Sequence, residues 1–251
     1  MDGLTLLQIV VTAAIMLVGS TVLSTVGFGI AVTTFPILLL VLDSQSAVVI
    51  VNTVSLLLFV SVLYQARQHL HIREMLPIAI AGLLGVPVGV FILNSVNESV
   101  LSISITAAIL VLTVIVAVNP RAMGSQIPYS SLLGPPVGFV VGVMLAAIGI
   151  GGPIMVIYLI ARQLQRDAVR VALSFYFLLI EGTAVIGYGV TGLFTTERAV
   201  LVMVAIVPVL AGFGLAVILL RRMNERVFRR AVIAVIISTS LLVLGRELLS
   251  L

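Results

Sequence analysis

Six uninterrupted apolar segments, residues 47–64, 75–93, 101–118, 169–188, 199–220 and 227–244, set the terms on which this chain can fold. Each is close to the ~20 residues that a helix rising about 1.5 Å per residue needs to cross a hydrocarbon layer ~30 Å thick. Inside lipid the backbone must satisfy its own hydrogen bonds, and segments this long do so as helices. The sequence therefore predicts an all-α polytopic membrane protein. Composition agrees: 61% of the 251 residues are hydrophobic and 9% are charged, where a soluble domain carries about 25% charge. No room remains for a soluble domain of ordinary size, so function must lie in the membrane or in short loops. Two other apolar stretches do not fit a single span. Residues 6–42 are interrupted at Gly27-Phe28-Gly29, and residues 132–161 at Gly149-Ile150-Gly151-Gly152-Pro153. Residues 1–17 are apolar but lack a basic leading region and a cleavage site, and are read as mature membrane structure.

Charge gives direction. Loops 65–74, 119–131, 162–170 and 221–230 hold eleven of the thirteen basic residues, all of them arginine. Placing these loops in the cytoplasm leaves only Arg198 and Arg246 outside, with Asp2, Asp43, Glu98, Glu197 and Glu247. The arginines are thus a topology signal, and a nucleic-acid partner is excluded. Stretch 132–161 then begins and ends in the cytoplasm, which makes it a hairpin. Stretch 6–42 must end outside, and as a hairpin it also starts outside. Each half becomes one broken, re-entrant hairpin followed by three transmembrane helices. An odd number of full spans per half turns the second half upside down. The expected organisation is a first repeat at 1–118, a cytoplasmic linker at 119–131, and a second, inverted repeat at 132–251. Both termini are expected outside the cytoplasm, in the inner (cytoplasmic) membrane.

Three sequence matches support the duplication. Gly27-Phe28-Gly29 corresponds to Gly149-Ile150-Gly151, Val86-Pro87 to Val207-Pro208, and Asn97-Glu98-Ser99-Val100 to Asn224-Glu225-Arg226-Val227. Inverted repeats with helices broken near the midplane are a transporter architecture.

The arrangement and its motifs resemble the sulfite exporter TauE/SafE family of membrane permeases over nearly the whole chain. The motifs are Val26-Gly27-Phe28-Gly29-Ile30-Ala31, with Pro36 after it, and Ile148-Gly149-Ile150-Gly151-Gly152-Pro153. Members of that family usually carry longer glycine runs; here Ile30-Ala31 and Pro153 stand in place of glycines. The resemblance implies transport of a small anion: sulfite, a sulfonate or a related organosulfur acid.

Candidate site residues follow from chemistry at depth. A broken membrane helix exposes N–H groups and a positive end, which suits an oxyanion without any lysine or arginine. Gly27, Gly29, Gly149, Gly151 and Gly152 allow close backbone approach there; taken singly, such glycines are also what tight helix packing uses. Asn52 and Thr53, with Ser55, and Ser174 and Tyr176 lie on the first full span of each half as candidate hydrogen-bond donors, although Ser and Thr in membrane helices often bond their own backbone. Glu181 is the one acid deep in a full span, and an ionised carboxylate there costs about 2.5–3.5 kcal/mol on insertion scales. It is the candidate for proton coupling, against a plain helix–helix hydrogen bond. With no cysteine, thiol catalysis and cysteine metal sites are excluded, and His69-Leu70-His71 has poor metal spacing. No cofactor is expected, and no enzyme activity, since Glu181 lacks a catalytic partner. The expected function is a secondary transporter working by alternating access around a midplane site. An anion channel, an intramembrane enzyme and an accessory subunit are the alternatives. The expected partners are the anionic solute and membrane lipid; an oligomer is compatible with the sequence.

Overall fold

The computed structural model describes residues 4–26, 30–118, 133–162, 164, 166–219 and 245. Among them the chain is helical, in the order α1 (Leu6–Val26), α2 (Ile30–Leu38), α3 (Ser44–Ala66), α4 (Ile72–Ser95), α5 (Glu98–Val118), α6 (Gly134–Ile148), α7 (Gly152–Ala161), α8 (Arg166–Val190) and α9 (Thr196–Leu219). The expected spans at 47–64, 75–93, 101–118, 169–188 and 199–220 coincide with α3, α4, α5, α8 and α9, with residue 220 beyond the end of α9. The expected span at 227–244, the linker at 119–131 and the basic loop at 221–230 lie outside the described residues. Among the described residues, five helices are long and apolar enough to cross a membrane: α1, α3, α4, α8 and α9. This is an all-α polytopic membrane protein.

Local chemistry explains where the helices stop. Asp43 caps α3, its Oδ2 accepting from the Ser46 N–H at 2.8 Å. Gly149 ends α6 in the left-handed region at φ +66°, its N–H bonded to Leu145 O at 3.0 Å. An L-side chain there pays a steric penalty that glycine avoids. Two residues on, Gly152-Pro153 opens α7, with proline in the first turn, where its missing N–H is harmless. The break is therefore built from a glycine stop and a proline start.

Both broken stretches fold back on themselves. Gln8 Nε2 near the start of α1 donates to Val41 O just past α2, at 3.0 Å. A Cβ added at Gly134, the start of α6, would stand 2.8 Å from the Tyr158 hydroxyl near the end of α7. The arms are unequal. α2, α6 and α7 run 9, 15 and 10 residues, too short to cross alone. α1 runs 21 residues, enough to cross, because no glycine stop or proline interrupts it before Gly27.

The helices pack in matched pairs. α4 lies on α6 and α1 on α9; α3 lies on α8, α4 also on α8, and α3 also on α9. Matching α1–α4 in order to α6–α9 turns each of these contacts into another on the same list: α4 on α6 exchanges with α9 on α1, α4 on α8 with α9 on α3, and α3 on α8 with itself. The central pair is antiparallel, since Asn52 meets Tyr188 while Ser55 meets Glu181. Backbones come close where α4 meets α6: a Cβ at Gly85 or Gly89 would stand 2.5 Å from the carbonyl oxygen of Phe139 or Val143. Small residues let membrane helices approach this way. α3 is the core element, with Ala47–Ile50 wholly buried. Outside, Leu84, Phe91, Met203 and Val207 are exposed, an apolar exterior suited to lipid tails rather than water.

Candidate functional site

The α6–α7 break walls a cavity between α2, α3 and α8. Gly149, Gly151, Gly152 and Pro153 form one side; Ile30, Phe177 and Glu181 stand among the residues opposite. Both short helices begin here, α2 at Ile30 and α7 at Gly152. None of the lining residues is basic. About 30 Å³ is open to water, room for roughly two water molecules at ~10–15 Å³ each.

Glu181 is 5% exposed and reaches α3, where Ser55 Oγ donates to its Oε2. Ser55 Oγ also lies 3.1 Å from Asn52 O, a second acceptor for its single hydrogen. An ionised Glu181 takes that hydrogen. A neutral Glu181 would give its own proton to Ser55 Oγ, which then turns to Asn52 O. Oε2 therefore keeps Ser55 Oγ as its partner in either charge state, and the Ser55 hydrogen always has an acceptor.

One turn back along α3, Asn52 closes the end of α6. Its Nδ2 donates to Leu145 O at 2.9 Å and to the Tyr188 hydroxyl at 3.0 Å, and that hydroxyl donates to Ala146 O at 2.8 Å. The last carbonyls of a helix are short of intrahelical donors; here Asn52 adds a second donor to Leu145 O, which already accepts from Gly149 N–H, and Tyr188 supplies one to Ala146 O.

The other expected donors act elsewhere. Thr53 Oγ1 donates to Val49 O at 2.6 Å and Ser174 Oγ to Arg170 O at 3.0 Å, each within its own helix. The Tyr176 hydroxyl donates to Gly138 O at 2.5 Å and holds α8 against α6. Gly27 and Gly29 lie outside the described residues. Tyr188 and Phe35 were not singled out from sequence, yet both touch the break: a Cβ at Gly149 would stand 2.5 Å from Phe35 Cζ. Tyr188 was legible in principle, since it falls seven residues after Glu181 and so on the same helix face.

Two ion pairs tie distant segments away from the cavity. Arg198, in the first turn of α9, meets Asp43 Oδ2 at 3.0 Å and also donates to Ser46 Oγ, Gln45 Oε1 and Leu193 O. Arg162, just past α7, meets Glu74 in the first turn of α4 at 2.6 Å. Both arginine side chains are largely buried, at 12% and 10% exposure.

No curated protein and no solved structure matches the chain. The model of the family described as sulfite exporter TauE/SafE matches residues 11–243, which takes in α2 to α9, most of α1 and the residues that line the cavity. The chain belongs to the sulfite exporter TauE/SafE family of membrane transporters.

Proposed function

We propose that this protein is a secondary transporter that carries a small anion, sulfite, a sulfonate or a related organosulfur acid, by alternating access of the cavity at the helix breaks. The observation that carries the reading is the start of two short helices, α2 and α7, on one cavity in a membrane protein. Helix N-termini hold anions through free N–H groups and the positive end of the dipole, and lipid tolerates broken helices only where they line something. Gly149, Gly151 and Gly152 leave the backbone bare for the solute.

Two inverted halves supply the moving parts. The exchange pattern of the helix contacts and the antiparallel α3–α8 pair support the duplication. The ion pairs fit the same exchange. Asp43 precedes α3 as Arg162 precedes α8, and Arg198 opens α9 as Glu74 opens α4, so the pairs are counterparts with charges swapped. With the arginine-rich loops in the cytoplasm, Asp43–Arg198 closes the outer side and Arg162–Glu74 the inner side. Opening one side at a time exposes the cavity alternately. Glu181, whose Oε2 keeps Ser55 as a partner in either charge state, couples the cycle to protons. The membrane is the inner one and both termini face outward.

The reading is tested with protein in liposomes. Gly151→Val should insert normally and fail to move labelled sulfite, since its Cβ would stand 2.7 Å from Val141 and 2.9 Å from Leu145 beside the cavity. Wild-type rates from this variant would remove the break from the solute path.

A further inference from the structure

The amide of Asn52 is fixed in one orientation. Its nitrogen donates to a carbonyl, Leu145 O, which can only accept, and to Tyr188, whose own hydrogen is committed to Ala146 O. Turning the amide over would set oxygen against oxygen at Leu145. Its Oδ1 is therefore the group Asn52 has left to offer. That oxygen makes no hydrogen bond, although the residue is 1% exposed. It lies 3.2 Å from the point a Cβ on Gly149 would occupy, one layer behind the cavity wall to which Val51, Leu145 and Gly149 belong. A buried acceptor left unpaired costs about 1–3 kcal/mol. The sequence suggests a donor at this position, and the geometry reverses that expectation: Asn52 presents an acceptor.

We infer that the cavity selects anions that carry a hydrogen-bond donor of their own, an O–H or N–H group beside the charged end, and that Asn52 Oδ1 is the specificity-determining acceptor. The inference rests on the reading of this cavity as the solute site. The helix ends take the charge and Asn52 takes the donor. A singly protonated oxyanion satisfies both; a fully deprotonated one sets lone pairs against Oδ1, with no basic lining residue to offset them. A site built to pair with a polar hydrogen rejects the analogue that lacks it, because its own group is then stranded. Tyr188 is a positioning residue, since it holds one of the two amide hydrogens away from the cavity.

The test uses two isosteric pairs of singly charged anions at fixed pH. These are 2-hydroxyethanesulfonate against 1-propanesulfonate, and glycolate against propionate. Each pair differs by a hydroxyl in place of a methyl. All four compete with labelled sulfite for uptake into proteoliposomes. The hydroxyl member should compete about tenfold better with wild-type protein, the size expected for one stranded acceptor. Asn52→Leu should bring the ratio close to one. Tyr188→Phe removes one of the two acceptors that hold the amide in place and should also shrink the ratio; it serves as the second variant if Asn52→Leu fails to insert. The ratio is read, so a general loss of rate does not imitate the effect. Equal competition within both pairs overturns the inference while leaving the solute site standing. Failure of all four to compete while sulfite is transported overturns it too. An unchanged ratio in both variants removes Asn52 from the choice. Absence of any saturable sulfite uptake by wild-type protein instead sinks the site reading itself.

Discussion

At the residue scale, the side chains that matter meet across long sequence separations. Ser55 and Glu181 are 126 residues apart in sequence, and Asn52 and Tyr188 are 136 apart. This decides what a sequence could reveal. Glu181 is legible because an acid deep in an apolar span is costly and so stands out. The glycine break is legible because Gly149 to Pro153 combines a stop and a start in five residues. The duty of Asn52 is not legible, because the groups that take its hydrogens, Leu145 O on α6 and the Tyr188 hydroxyl on α8, become partners only on folding. Thr53 and Ser174 illustrate the opposite case, since each hydroxyl bonds a carbonyl of its own helix. Two predictions belong here. Glu181→Gln keeps the shape and fixes a neutral side chain. Binding should survive, while the pH dependence of transport flattens and concentrative movement falls. A ligand shifts an equilibrium only through differential affinity for its states, and the variant has lost one of the two charge states. Flux measured across a pH series in liposomes decides it; an unchanged profile would leave Glu181 as a helix–helix contact. At Gly149 the backbone is left-handed, so Gly149→Ala should destabilise by about 1–2 kcal/mol from conformation alone, with Phe35 adding crowding. Thermal unfolding in detergent measures the loss, and a variant as stable as wild type would argue against the left-handed stop.

At the element scale, the close approach of α4 and α6 is the contact least able to adjust. A Cβ at Gly85 meets backbone, Phe139 O at 2.5 Å and Val143 N at 2.9 Å. Backbone cannot swing away as a flexible side-chain tip can. Gly85→Leu should therefore cost about 3 kcal/mol or more, the upper end for overpacking. Gly214 on α9 is the control, since nothing lies within 4 Å of its Cβ position; Gly214→Ala should be neutral or slightly stabilising. Comparable melting temperatures for the two variants would contradict the packing account. The lengths of the elements were largely legible, because α3, α4, α5, α8 and α9 sit on the apolar segments that membrane thickness demands. The unequal hairpin arms were not. Nothing in a uniformly apolar run says that α1 continues to Val26 while α6 stops after 15 residues; a local glycine decides the second case.

At the scale of the whole molecule, the proposed transporter consists of two inverted halves that close one cavity from two sides. The charge asymmetry of the loops suggests the inversion, and the exchange of helix contacts supports it. The ion pairs could not be foreseen, because each joins a loop of one half to a helix start of the other. They give the account a direction. The chain has no cysteine, so Val51→Cys in the cavity wall can report access to a membrane-impermeant thiol reagent. Asp43→Asn, which weakens the outer pair, should raise labelling from outside; Glu74→Gln, which weakens the inner pair, should raise labelling from the cytoplasmic side. Equal labelling of both variants from both sides would make the pairs structural ties only. The most direct measurement of the central claim is counterflow. Proteoliposomes loaded with unlabelled sulfite are diluted into a trace of labelled sulfite. A carrier with one cavity open to one side at a time returns from each outward trip with external solute, so label should rise transiently above equilibrium and then decay. The overshoot should vanish in Gly151→Val. Label that climbs steadily to equilibrium, with no overshoot and no saturation, would contradict alternating access and indicate a continuous pore.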